Sequence, residues 1–249
     1  MRLLYITLLA ASITLPLSAA AEMVVYTARK IITMEPALPD ATAVAVADGR
    51  IVAVGSLASL RPWMDARESR LDSRFEDKIL MPGLIDPHVH PSLPAVLTQF
   101  PFLAPDDWSL PTGEFPGATN PQDYETSLKA LVAAHDSPAV PFIAWGYHPL
   151  WHGPVYRQQL NQWFPATPVM LWHRSFHELI GNDAALKMLG ITESDNTVKQ
   201  VSDWEKGHFW ENGLKAIVPK LPFLFDPQRF GQGKNNFLLL LKHGGLTTA

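Results

Sequence analysis

The sequence predicts an α/β protein that carries a small all-β segment near its N-terminus. Three observations predict it. Strand signals crowd Met23 to Gly55, where β-branched runs flank an Asp-Gly turn. Strand and helix patterns alternate from Asn120 to the end. The 249 residues, 47% hydrophobic and 18% charged, have ordinary globular composition and enough length to bury a core.

Residues 1–21 read as a secretory signal rather than as part of the fold. Met1-Arg2 is a short positive start, Leu3 to Leu15 is apolar apart from Thr7, Ser12 and Thr14, and Ser18-Ala19-Ala20-Ala21 supplies the small residues a signal peptidase needs. The apolar run is shorter than the roughly 20 residues that span a bilayer. Export is therefore expected, with cleavage after Ala20 or Ala21 and no membrane contact afterwards. Cysteine is absent, which excludes disulfides and thiolate ligands and suits a bacterial periplasm. A net charge of −4 offers no basic field for nucleic acid.

Met23-Val24-Val25-Tyr26 and Ile31-Ile32-Thr33-Met34 read as short strands. In Ala43 to Val54, AVAVADGRIVAV, Asp48-Gly49 is a hairpin signal, because a type I′ turn needs positive φ at both central residues. Arg61 to Asp77 is polar and mixed. Lys78 to Ile85 is apolar, reads as a buried strand, and runs into His88 and His90. Residues 91–117, rich in Pro, Phe and Trp, read as a long loop or insertion of the kind that covers sites. Asn120-Pro121-Gln122-Asp123 starts a helix with a cap, a first-turn proline and an acid at the positive end of the dipole. Tyr124, Leu128, Leu131, Val132 and His135 share one face of it. Beyond it the patterns predict a strand over Pro141–Trp145, a helix over Val155–Phe164 and a strand over Val169–Trp172. Helices follow over Asp183–Leu189, closed by Gly190, over Gly213–Val218, and over Asn235–Lys242 before Gly244-Gly245.

The chemistry centres on Leu80 to Ser92, LMPGLIDPHVHPS. In a strand, residues i and i+2 project to one side, so His88 and His90 stand roughly 6–7 Å apart at the backbone. Two imidazole nitrogens can converge from there on one metal at about 2.0–2.1 Å. Pro87 and Pro91 place the pair where the strand ends, and Asp86 could orient an imidazole as an outer acceptor.

Pro-Gly-Leu-Ile-Asp-Pro-His-Val-His closely resembles the first metal-binding strand of the amidohydrolase superfamily, and ATAVAVADGRIVAVG resembles the small β-sandwich that precedes it there. FIAWGYHP (Phe142 to Pro149), PVMLWHRSFHELIGNDAALKMLGI (Pro168 to Ile191) and GHFWE (Gly207 to Glu211) extend the resemblance to amidohydrolase family 3, the N-substituted-formamide-deformylase-like branch. The resemblance covers about residues 23 to 249, although only the His pair and its flanks are specific by themselves. It implies N-terminal strands of a composite β-sandwich over residues 22–78. Residues 79–249 would then be the first part of a metal-dependent-hydrolase (β/α)8 barrel with a large insertion. It also implies one or two divalent metals, most often zinc, a small amide or cyclic amide substrate, and a full-length enzyme able to form homo-oligomers. His88 and His90 are then metal ligands, and His177 lines the substrate pocket.

Other candidates keep more than one reading. Glu211 matches the family's glutamate, with a bridging or outer role, or is a solvated residue at a helix start. His173, four residues before His177, reads as a pocket residue, as a metal ligand sharing an ion with His177 if the two lie on a helix, or as a satisfied structural histidine. Arg174 holds a substrate carboxylate or carbonyl, or bridges to Glu178 on the surface. Trp145, His148 and His152 either shape a pocket or pack. His135 reads as core.

The resembled site also needs a carboxylated lysine or a glutamate, two further histidines and a proton-accepting aspartate on the last barrel strand. None has a counterpart up to Ala249, so the catalytic aspartate is expected beyond the C-terminus. The sequence is expected to be the N-terminal portion of a longer enzyme, inactive and aggregation-prone alone, with the apolar helix stretch Phe237 to Leu241 lacking neighbours. The alternatives are an exported non-catalytic protein that binds metal or a small ligand, and an interaction module without metal.

Overall fold

The structure is a computed structural model describing residues 22–137, 139–195 and 201–249. The expected signal segment lies outside the described residues. The chain divides between Gly83 and Leu84 into two compact units. No described helix is long and apolar enough to cross a membrane.

The N-terminal unit contains β1 (Met23–Ile32), β2 (Asp40–Ala47), β3 (Arg50–Gly55), α1 (Arg61–Asp65) and β4 (Ser69–Leu80). The sheet order is β3-β2-β1-β4, antiparallel except for the parallel β1/β4 pair. The expected hairpin forms, with Asp48 at φ 51° and Gly49 at φ 70°. The two short strands expected before it are one, with a register shift between Thr27 and Ile31. Met23, Val25, Ala43, Ala45 and Leu60 form the core. The polar stretch over residues 61–77 holds α1 and most of β4. An edge strand that buries almost none of its side chains shows no alternation, so its sequence carries no strand signal. Its one buried charge, Asp72, is gripped by Arg74 at 2.6 Å and Arg70 at 3.2 Å. Those guanidiniums hold its carboxyl well below the usual range.

The C-terminal unit begins with β5 (Leu84–Ile85), α2 (Ser92–Leu97) and the hairpin β6 (Trp108–Leu110) and β7 (Gly113–Phe115). Next come α3 (Pro121–Ala133), β8 (Phe142–Tyr147), α4 (Pro149–His152), α5 (Arg157–Trp163) and β9 (Val169–His173). β10 (Glu178–Gly181), α6 (Asp183–Met188), β11 (Ser202–Asp203), β12 (His208–Trp210) and α7 (Asn212–Ile217) follow. α8 (Pro227–His243) and β13 (Leu246–Thr248) close the order.

One mixed sheet, β11-β12-β10-β9-β8, is parallel only between β8 and β9. Both its faces are buried. Ile143, Trp145, Met170, Trp172, Leu179 and Phe209 fill one, while Phe142, Ala144, Val169, Leu171 and Ile180 meet Tyr124, Leu128 and Val132 of α3 on the other. α3 starts as expected, with Asn120 Oδ1 accepting from the Asp123 N–H at 3.0 Å. Asn182, fully buried, pins the start of β9 to α6. Its Oδ1 accepts from Val169 and Ala185, and its Nδ2 donates to Phe164 and Thr167.

The apolar run into the His pair is not one buried strand. β4 ends at Leu80, Pro82 interrupts any ladder, and β5 restarts at Leu84. Leu84 and Ile85 are 48% and 70% exposed, because β5 pairs only with β13 in a two-stranded sheet. That pair is parallel, with Leu84 N–H donating to Gly245 O at 2.8 Å and Asp86 N–H to Thr248 O at 3.0 Å. β5, α8 and β13 thus form a crossover unit with residues 86–226 between its first strand and its helix. Among the described residues several separate sheets form and no barrel closes. Residues 91–117 are not a loop either. They hold α2 and the β6–β7 hairpin, and Phe100, Phe102 and Leu103 are buried. Short elements dense in Pro and aromatics show no readable period. α2 lies so close to α8 that a Cβ on Gly233 would sit 1.8 Å from Ala95 O.

Candidate functional site

His88 and His90 lie just past β5, in coil rather than in the strand itself. Asp86 sets the exit. Its N–H extends the ladder to Thr248, and its Oδ1 accepts the His88 N–H at 3.0 Å, so it orients the backbone and not an imidazole. The rings still meet edge to face, centroids 4.8 Å apart, with the two Nε2 atoms 2.8 Å apart. Both side chains are exposed. Two nitrogens at that separation can both lie about 2.0–2.1 Å from one point, subtending roughly 85° there, so the pair fits two ligand positions of a divalent ion. No group of three His, Cys, Asp or Glu side chains able to hold a metal occurs among the described residues.

A second polar cluster gathers at one end of the mixed sheet, where β8 and β9 finish and β10 begins. His148 follows β8, His173 ends β9, and their rings stand 5.0 Å apart at 35°. Glu178 opens β10 beside them. One carboxylate oxygen meets His208 Nε2 at 2.7 Å, and the other lies 3.6 Å from His173 Nδ1. Burial pushes both His173 and His208 below the ordinary histidine pKa, against the opposing pull of Glu178. His177 and Glu211, read separately from the sequence, are partners: Nδ1 and Oε1 are 2.9 Å apart, and the Glu211 N–H donates to His177 O. Glu211 holds φ 49° and ψ −117°, and Phe176 holds φ 71°, both rare for residues with side chains.

Arg174 does not bridge to Glu178. Its guanidinium meets Asp106 at 2.6 Å. Trp145 is buried on the sheet face opposite His173, against Phe102, Trp108 and Phe176, with its Nε1 unpaired. His152 is a satisfied interior group. His135 is half-buried with its edge against Phe142. Sequence reading missed Glu178 and His208 as members of the cluster. Only the antiparallel β10/β12 register, with Glu178 opposite Trp210 and Ile180 opposite His208, brings them together.

No family model matches the chain. It is 27% identical over 182 residues to Protein LONG AFTER FAR-RED 3 of Arabidopsis thaliana, covering 72% of this chain and 28% of that protein. It is 26% identical over 173 residues to the Exoenzymes regulatory protein AepA of Pectobacterium carotovorum subsp. carotovorum, covering 67% and 34%. The chain therefore spans about a third of the length of these curated relatives. Among solved structures it is similar to an uncharacterized metal-dependent hydrolase from Pyrococcus horikoshii OT3, with TM-score 0.57 and 16% identity over 91% of this chain and 42% of that one. A second, from Pyrococcus furiosus, gives TM-score 0.59 and 14% identity over 91% and 43%. At that identity the shared property is the fold.

Proposed function

We propose that this chain supplies the first two ligands of a metal-dependent hydrolase that cleaves carbon–nitrogen bonds other than peptide bonds, in amides or cyclic amides. The convergence of His88 and His90 Nε2 to 2.8 Å at the end of a parallel strand carries the reading. The fold shared with the two Pyrococcus proteins supports it. In this reading β5, α8 and β13 are the first crossover of a (β/α)8 barrel, and the site opens at the strand C-termini, where such barrels place their chemistry. The family-3 amidohydrolase resemblance supplies the bond class.

His88 and His90 would hold zinc or another divalent ion, one or two in number, with Asp86 fixing the loop that presents them. Such an ion supplies Lewis acidity and brings the pKa of a bound water to about 7. In this reading two histidines do not complete a catalytic metal site, which takes three protein ligands and an open position, so this chain alone is inactive. The mature protein is exported, to a bacterial periplasm, acts on a small molecule, and as the full enzyme could form a homo-oligomer. A second reading, a non-catalytic binder of metal or small ligand, draws on the His88–His90 pair having no third His, Cys, Asp or Glu grouped with it among the described residues.

Calorimetric titration of the chain with zinc tests the proposal. One ion should bind, and His88→Ala and His90→Ala should each abolish it with circular dichroism unchanged. Zinc binding that persists in both variants would sink the metal assignment. Amide turnover by this chain, lost on chelation, would refute its inactivity.

A further inference from the structure

We infer that His148 and His173 form a paired donor site for a neutral carbonyl oxygen of the kind carried by an amide, lactam or ester. β8 and β9 are parallel, so the residues that finish them stand side by side, and the two rings lie 5.0 Å apart. Each ring is locked in the same way. His148 Nδ1 accepts the Leu150 N–H at 3.1 Å, and His173 Nδ1 accepts the Ser175 N–H at 3.1 Å, both two residues further along. The Ser175 Oγ also lies 2.8 Å from His173 Nδ1 and itself accepts the His177 N–H at 3.2 Å, which leaves its O–H free to donate to that Nδ1. A backbone N–H can only donate and the Ser175 hydroxyl is able to, so each Nδ1 offers its lone pair and each neutral ring carries its proton on Nε2. Neither Nε2 has a protein partner among the described residues, and neither is one of the fully buried unpaired atoms. The lock also argues against a metal. An imidazole that binds through Nε2 keeps its proton on Nδ1, which would here point at a backbone N–H.

Local charge selects the ligand. Burial pushes His173 below the ordinary histidine pKa, which favours the neutral ring that offers a dipole and no charge. The nearest carboxylate, Glu178, lies 3.6 Å from His173 Nδ1, while the neighbouring Arg174 is committed to Asp106. An anion would be repelled, whereas a neutral carbonyl oxygen accepts both N–H groups without that cost. Trp151, edge-on to His148 at 4.8 Å and partly exposed, offers an apolar wall for the rest of the ligand.

The inference deepens the hydrolase reading and rests on it only in taking the ligand to be a substrate. The test uses the full 15N-labelled chain in EDTA, with long-range 1H–15N spectra of the histidine rings. 2-Pyrrolidinone is the probe and acetate the charged comparison. Both rings should show the Nε2–H tautomer, and the lactam should shift both Nε2 signals saturably while acetate does not. His148→Asn keeps a cap acceptor for the Leu150 N–H but removes the ring donor, and should weaken lactam binding about fivefold or more, the loss of one hydrogen bond. An Nδ1–H tautomer in either ring, no lactam shift, acetate binding as tightly as lactam, or unchanged binding by His148→Asn would each overturn the assignment. Zinc added after the EDTA has been removed reads His88 and His90 separately. Failure of the metal reading would leave the lactam shift in place.

Discussion

Mild acid should destabilise this protein well before its carboxylates titrate, through His152. The residue is 1% exposed at the end of α4. Its Nδ1 accepts the His148 N–H at 3.1 Å, its Nε2–H donates to Ala118 O at 2.8 Å, and its ring stacks on Tyr124 at 4.0 Å and 17°. A second proton on Nδ1 would face a backbone N–H, and burial pushes the pKa from 6.5 down to about 4. With the folded value below the unfolded one, the unfolded chain binds the proton first. The contribution is complete above pH 6.5 and is lost as pH falls from 6.5 towards 4. That gap corresponds to about 3 kcal/mol in full, of which about 2 kcal/mol is gone at pH 5. Urea denaturation followed by tryptophan fluorescence between pH 7.5 and 5 measures it, with His152→Gln as the non-titrating comparison. His173 and His208 shift in the same direction in both proteins and cancel, and the lowered Asp183, Asp195 and Asp203 lose their contribution only at lower pH. Equal pH slopes in the two proteins would refute the reasoning. So would a His152 ring resonance titrating near 6.5 in the folded chain, a test that stands even if the variant does not fold.

Other substitutions probe the frame around the sites. Asn182→Ala removes a helix cap and strands Val169 N–H, Phe164 O and Thr167 O in the interior. It should cost about 3 kcal/mol or more in urea unfolding. Gly233→Ala drives a Cβ into Ala95 O and should cost about 1–3 kcal/mol, whereas Gly231→Ala on the same helix meets nothing within 4 Å and should gain just under about 1 kcal/mol. Glu211→Gly relieves a φ of 49° and loses only an exposed pair with His177, so thermal unfolding should show a gain of about 1 kcal/mol. A loss there would make the side chain structural.

What the sequence made legible was local. The Asp48-Gly49 turn, the Asn120 cap and the Gly190 stop form as read, because each depends on a few adjacent residues and a fixed φ requirement. His88 and His90 come together in coil past β5, so the strand alternation expected to align them is not what brings their rings into contact. β4 was not legible, since a charged edge strand is held by its backbone ladder and leaves no hydrophobic period. Nor was β10 with β12, whose short antiparallel pairing is a long-range choice. The β5/β13 ladder joins residues at opposite ends of the C-terminal unit, and no local pattern encodes that partner.

The two histidine pairs show why residue type alone under-determines chemistry. His88 and His90 turn their Nε2 atoms towards each other, and among the described residues neither Nδ1 accepts a backbone N–H, so each ring can move its proton to Nδ1 and free Nε2 for a cation. His148 and His173 spend Nδ1 on the chain two residues on, which forces the proton to Nε2 and makes them donors. His152 spends both nitrogens and becomes structural. The same side chain thus has three capacities in one chain, and the backbone groups facing Nδ1 separate them. A substitution that moves the Leu150 N–H off its ring should therefore let His148 bind zinc, which Leu150→Pro would test, since proline has no N–H to donate. Zinc binding at His148 that appears only in this variant would show that the backbone donor decides the role. Its absence would mean that the backbone donor is not what keeps the metal out.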